Sequence, residues 1–344
     1  MRQISAEKIT EVVRRLCIEA NCHLPQDVKD SIEKAYAGEQ WGQAREILER
    51  IMENYQIADR ENCPICQDTG VACVFVKLGQ EVHVEGDLNE AIHEGVRQGY
   101  RDGFLRKSVV RDPLDRVNTG DNTPAMIYFD IVPGDVCEIT VAPKGFGSEN
   151  MSQIKMLKPS DGLQGVKNFV VQVVKDAGPN PCPPIVVGVG VGGTFDKAAY
   201  LAKKALMRHA GEPNPMAFYA DLEKELLELV NATGIGPQGF GGKTTALAVH
   251  IEQCPTHIAG LPARRINKTK ERKHRAVKFG HVGKMAATSL SFKYFVHRRR
   301  NMRLDTFAIQ YLFSERRRRL IFFFSYFRAV IVCAKSVDGH RLKL

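Results

Sequence analysis

The formal charge of this chain breaks near Pro262, and the break limits which residues can fold together. Residues 1 to 262 carry 27 Lys and Arg against 35 Asp and Glu, a balance of −8, whereas residues 263 to 344 carry 22 against 4, a balance of +18, and the two make up the +10 of the whole. The acidic part has ordinary apolar content and enough length to bury a core of its own, as one large domain or two small ones. It is the expected folded unit.

Met1 to Arg15 mixes Arg2, Glu7, Lys8 and Glu11 with isolated apolar residues. That pattern does not fit a secretory leader and gives the expectation of a cytoplasmic protein. Nine cysteines, an odd number, are scattered from Cys17 to Cys333. A chain of this size needs no disulfide framework, so reduced thiols or metal ligands are expected.

Ile9, Val12, Val13 and Leu16 repeat at helical spacing, as do Ala44, Ile47, Leu48, Ile51, Met52 and Tyr55. With Pro25 and the Gly38 region as breaks, the spacing predicts three helices across residues 6 to 57, a helical N-terminal lobe over 1–60. The period then changes. Val71 to Leu78 reads as a strand, and Asp87 with Glu90 can cap a following helix. Ala125 to Val132 and Val136 to Ala142 read as a hairpin through Pro133, Gly134 and Asp135. A helix over Leu163 to Val173, a strand over Pro184 to Val191, helices over Asp196 to His209 and Leu222 to Val230, and a strand over Lys243 to Ile251 complete the order. Such a sequence of elements predicts an α/β (mixed α+β) fold, with a catalytic domain over 61–262 built on a mixed sheet flanked by helices.

Three segments carry possible chemistry. Cys63-Pro-Ile-Cys66-Gln67-Asp68-Thr69-Gly70 has one Cys-x-x-Cys; zinc would want a second pair, and two small buried thiols beside a turn are equally ordinary. Cys182-Pro-Pro followed by Ile185 to Gly193 formally meets the dinucleotide Gly-x-Gly-x-x-Gly pattern. No acidic residue ends a second strand at the required distance, although glycine-rich amides at a helix start could still attract a carboxylate. Gly236 to Thr244 misses the phosphate-loop spacing by one residue, with Pro237 where the leading glycine belongs. Beyond it, alternation of Thr245, Leu247, Val249 and Ile251 puts His250 on the opposite face with Ala246 and Ala248, where a lone histidine is usually structural.

Taken in order, Cys66-Gln-Asp-Thr-Gly70, Asn118-Thr-Gly-Asp-Asn-Thr-Pro124, Lys144-Gly-Phe-Gly-Ser148, Cys182-Pro-Pro184, Gly190-Val-Gly-Gly193, Phe240-Gly-Gly-Lys243, His250-Ile-Glu-Gln-Cys-Pro255 and Gly260-Leu-Pro262 resemble the alpha subunit of the iron-sulfur (class I) fumarate hydratases and L-tartrate dehydratases. The resemblance spans residues 1 to 262. It implies a [4Fe-4S] cluster held by three cysteines, Cys66 and Cys182 matching the first two, whose open iron acts as a Lewis acid on a small dicarboxylate. It further implies Asp68 as proton donor or acceptor, Gln67, Arg106, Gly147 and His250 as substrate contacts, and a beta subunit that completes the enzyme. Fumarate hydration is the first expectation and tartrate dehydration its alternative.

After Pro262 the family pattern continues as a strand whose Asn-x-Asn-Cys-His type motif supplies the third ligand; this chain reads Ala-Arg-Arg-Ile-Asn-Lys-Thr-Lys instead. Cys254 matches a non-ligand cysteine. The segment 263–344 therefore reads as a basic tail, disordered or out of frame, with translation out of the original reading frame favoured because the change comes in mid-motif. A partner-binding extension, or a basic segment for nucleic acid or a membrane surface, are the competing readings. In the family reading neither nucleic acid nor a membrane is an expected partner; a non-catalytic, nucleic-acid-binding protein stands as the alternative from another class. Leu320 to Ala334, interrupted by Arg328, is shorter than the ~20 apolar residues a spanning helix needs.

Overall fold

The computed structural model describes residues 1–269, 275–278 and 281–282, with side chains through Ile266. The rest of the basic segment, and the expectations attached to it, lie outside the described residues. The elements run β1 (Arg2–Ser5), α1 (Ala6–Cys22), α2 (Gln26–Gly38), α3 (Gly42–Glu61), β2 (Val71–Gly79), β3 (Val82–Glu85), α4 (Leu88–Asp102), β4 (Met126–Val132), β5 (Cys137–Lys144), α5 (Phe146–Glu149) and β6 (Gln153–Leu157). They continue with α6 (Gly162–Ala177), β7 (Ile185–Gly193), α7 (Phe195–Ala205), α8 (Ala217–Asn231), β8 (Ala246–Thr256), β9 (Leu261–Thr269), β10 (Arg275–Lys278) and β11 (His281–Val282). The mixed α/β class is as the sequence predicts.

Two mixed sheets stack with helices between and outside them. The first has the order β11-β10-β5-β2-β4, the second β6-β9-β7-β8, and β1 pairs with β3 in parallel as a separate ribbon. Alternate residues of β2 and β5 (Ala72, Val74, Val76, Ile139, Val141) face α1 and α4 in one apolar cluster. Val187, Val189, Val249 and Ile251 of the second sheet face α6 and α8 in another. Between the sheets lies α7. Its Tyr200 meets Phe75 and Tyr128 and donates to Asp130 on the first sheet, while Ala202 packs with Val186 and Ala248 on the second.

Glycine makes that sandwich possible. A Cβ on Gly188 would stand 2.3 Å from Ala202 O and one on Gly190 2.2 Å from Ala198 O, so α7 can lie on β7 only because these residues have no side chain. The Gly-x-Gly pattern thus lies inside a strand and serves helix packing.

Three local expectations are corrected. Ser5 caps α1 through its side chain, but α1 shares its core with α4 and the first sheet, whereas α2 and α3 form a separate cluster around Ile32, Leu48 and Ile51. The apolar runs β4 and β5 exist but are not a hairpin: β4 pairs in parallel and β5 antiparallel with β2, which lies between them. Six residues of β2 are buried on both faces, and a strand of that kind takes the centre of a sheet. In β8 a register shift at Leu247 places Ala246 with Val249 and Ile251, leaving Ala248 and His250 on the face toward α7.

Candidate active site

The first cysteine loop leaves α3 through Asn62, whose left-handed backbone (φ +47) stops the helix. The Ile65 amide donates to Asn21 O at 3.0 Å and Asn54 Nδ2 donates to Ile65 O at 3.1 Å, which fixes the loop to α1 and α3. Cys66 Sγ accepts from the Asp68 amide at 3.4 Å and lies 3.1 Å from Gln67 Oε1. At the loop's far end the buried Tyr100 hydroxyl sits 2.8 Å from Thr69 O and 2.9 Å from Gly70 O. Asn122, fully buried at φ +66, donates from Nδ2 to Gly70 O at 3.1 Å and accepts the Ser108 amide at 2.7 Å. Thr69 Oγ1 donates to Arg106 O at 3.0 Å, so Arg106 is tied to the same loop by its backbone while its side chain stays exposed.

Gly70 then lies on the backbone between Lys144 and Gly145. A Cβ there would come within 2.5 Å of Lys144 C, and its φ of +72 is one that glycine adopts without strain. This contact brings the Asp68 carboxylate to α5: Oδ1 accepts from the Gly70 amide at 3.1 Å and Oδ2 from the Phe146 amide at 2.9 Å. Asp68 thus has a fixed orientation before any ligand arrives.

The second cysteine loop meets α5 at Gly147. A Cβ on that exposed glycine would be 3.4 Å from Asn180 O. Cys182, at φ +50, donates its amide to Pro179 O at 2.8 Å. The Gly236–Gly242 loop backs this turn: Gln238 gives both its amide and Nε2 to Pro183 O at 2.7 Å, and Gly239 rests on Pro179. Further along the same loop the Lys243 amide donates to the buried Glu39 carboxylate at 2.7 Å. The segment is a brace, not a phosphate loop.

Cys66, Gln67 and Asp68 are therefore assembled with Gly147, with Arg106 through its backbone, and Cys182 follows the turn that lies against Gly147. His250 is placed differently. It is 1% exposed and pairs with Gly188 inside the second sheet, facing α7. Asn122, Tyr100 and Gln238 support the loops and were not singled out from the sequence; Asn122 and Gln238 had a signal, since they lie in the Asn118–Pro124 motif and the Gly236–Thr244 segment.

Two thiols do not make a three-thiolate holder. Among the described residues no three His, Cys, Asp or Glu side chains form a group able to hold a metal ion. The β7–β8 register puts Cys254 beside Gly192, seven strand residues beyond Ile185 and so about 23 Å from the Cys182 end of β7. Antiparallel β9 instead returns the backbone of Lys268 and Thr269 to Val186 and Ile185, next to Cys182. A cluster with three cysteine ligands would need a third donor beside the two loops, and this chain has no cysteine at either position.

Comparison with known proteins gives a consistent answer. The family model described as fumarate hydratase (fumerase) matches residues 10–275. A protein of Methanocaldococcus jannaschii with the provisional name L(+)-tartrate dehydratase subunit alpha is 48% identical over 262 residues, 74% of this chain and 92% of its own length. The L(+)-tartrate dehydratase subunits alpha of Escherichia coli K12 and Shigella sonnei are each 35% identical over 260 residues, 74% of this chain and 86% of their own. By this coverage and identity the chain belongs to the fumarate hydratase family of hydro-lyases, as a relative of the L(+)-tartrate dehydratase alpha subunits.

Proposed function

We propose that this chain is the alpha subunit of an iron-sulfur hydro-lyase acting on a four-carbon dicarboxylic acid, with L-tartrate dehydration ahead of fumarate hydration. The sequence motifs alone favoured fumarate; the names of the relatives move the preference to tartrate. The observation that supports the reading is that α5 touches both cysteine loops, the first through the Phe146 amide on Asp68 and the second where Gly147 lies against Asn180. In this reading Asp68 exchanges a proton with the substrate at the carbon–oxygen centre, its carboxylate steered by the Phe146 and Gly70 amides. Arg106 takes a substrate carboxylate in its planar fork, Gln67 and the Gly147 backbone make polar contacts, and His250 is carried as a substrate contact by the resemblance alone. A beta subunit, implied by the relatives' names, supplies the remainder, and the location in this reading is the cytoplasm.

A [4Fe-4S] cluster is part of the proposal, with Cys66 and Cys182 as two of its ligands. The residues present do not complete its ligand set, so no reaction step is assigned to it here. That shortfall favours a second reading, in which this polypeptide as it stands is a non-catalytic relative. The test is assembly with a beta subunit under anaerobic conditions, with iron and sulfide supplied, followed by assays on L-tartrate, fumarate and malate. Turnover of tartrate above fumarate supports the first choice, the reverse restores fumarate, and no turnover by a chain carrying Thr269→Cys rejects both.

A further inference from the structure

The loop-bearing turn is held from behind by charges that the proposed reaction does not use. Lys144, at the end of β5, is 3% exposed and donates to Gly145 O at 3.2 Å and to Ser148 Oγ. Its ammonium also lies 3.3 Å from Glu149 Oε2, and the other oxygen of that carboxylate accepts from Lys203 Nζ on α7 at 2.8 Å. Lys203 is itself 13% exposed. Burial works against its charge, yet the neighbouring Cys73 and Glu149 hold its pKa above the ordinary lysine range. A lysine, a carboxylate and a second lysine thus connect the first sheet, α5 and α7 in one line, Lys144 buried and the other two partly covered. The Lys203–Glu149 bond is charge-assisted, the strong kind, and Lys144 meets the other carboxylate oxygen as an ion pair.

We infer that Lys144, clamped through Glu149 by Lys203, is a positioning residue for Asp68. It fixes the Gly145–Glu149 turn, and that turn presents the Phe146 amide to the Asp68 carboxylate and Gly147 to the Cys182 loop. The inference rests on the reading of Asp68 as the proton-transfer group. Its structural half does not depend on turnover. Lys203 is the cleaner probe, because it lies on α7 and bonds to the turn at Glu149, two residues beyond Gly147. In the full chain, hydrogen exchange of the Phe146 amide should speed up at least tenfold in Lys203→Met and more in Lys144→Met, with the amides of β5 and β7 unchanged. In the Thr269→Cys chain assembled with its beta subunit, the same substitutions should lower kcat about 10- to 100-fold with KM within about twofold, the pattern of lost transition-state geometry. Lys203→Arg should restore both. Unchanged Phe146 exchange and unchanged kcat in both methionine variants would overturn the inference, as would an arginine variant no better than methionine. If the Thr269→Cys assembly turns over no dicarboxylate while the exchange changes appear, the functional reading has failed and the positioning of the turn stands.

Discussion

The turn around α5 and the strand after Pro262 have opposite internal consistency. At α5, the Asp68 carboxylate, the Asn122 amide, the Tyr100 hydroxyl and the Lys144 ammonium each meet a partner. In β9 the backbone is just as regular, paired with β6 on one side and β7 on the other. Its side chains are another matter. Arg265 shares a face of the strand with Ala263 of the apolar cluster and pairs in register with Val189 of the same cluster, is wholly buried, and finds no hydrogen-bond partner for Nε or either terminal nitrogen. Backbone pairing asks nothing of the side chain, so a strand template can accept almost any sequence. A core cannot. Register in β9 is therefore supplied by the neighbours, and we propose that Arg265 is not the residue this core was built to receive, in keeping with a change of reading frame after Pro262.

The largest effect should come from relieving that mismatch. Burial lowers the Arg265 pKa to about 9, so the group remains charged at neutral pH. A base whose folded pKa lies below its unfolded one destabilises the fold at every pH below the folded value, and relief comes only as pH rises beyond it. Arg265→Leu should raise the unfolding free energy by about 3 kcal/mol, constant across neutral pH; chemical denaturation showing no gain would dissolve the contrast between the two regions. Next in size, Gly190→Ala should cost about 2 to 3 kcal/mol by pushing α7 off β7. An unchanged midpoint there would mean that α7 is not seated as described.

A smaller loss tests the other side of the comparison. Asn122→Ala removes the bridge between Gly70 and Ser108 and should cost about 2 kcal/mol while loosening the Cys66 loop, measurable as faster exchange at Gly70. The least effect belongs to Asp121 in the same motif. Burial alone would raise its pKa, but the Thr123 amide and hydroxyl and the Arg97 guanidinium outweigh it and hold the carboxyl below its usual range. Its contribution is therefore full above roughly pH 4 and is lost as pH falls further. Asp121→Asn should flatten that acid slope slightly, and an acid titration identical to wild type would remove the group from the account.

Much of this was legible in the residues because the relevant signals are local. The 3.6 period gave α1, α3 and α6, Asp87 does cap α4 through Glu90, and Cys66 and Cys182 stood out by motif. What the sequence could not give was which strand lies between two others. Alternation in β4 and β5 is the same whether they pair or flank β2. A single bulge at Leu247 likewise reversed the facing of Ala246 without changing composition. Gly188 and Gly190 show the same limit from the functional side, since a close helix and a phosphate both demand a bare backbone. The supports of the site were hidden for a related reason: Tyr100 and Gln238 act across 30 and 55 residues of sequence, on partners that only the fold brings near.

The most direct test of the central claim, that the two cysteine loops border one site across α5, is anaerobic iron and sulfide reconstitution of the Thr269→Cys chain beside its Cys66→Ser and Cys182→Ser derivatives. The account predicts roughly four iron atoms per Thr269→Cys chain, with uptake lost when either serine is introduced. Iron binding that is indifferent to Cys66 or to Cys182 would contradict it.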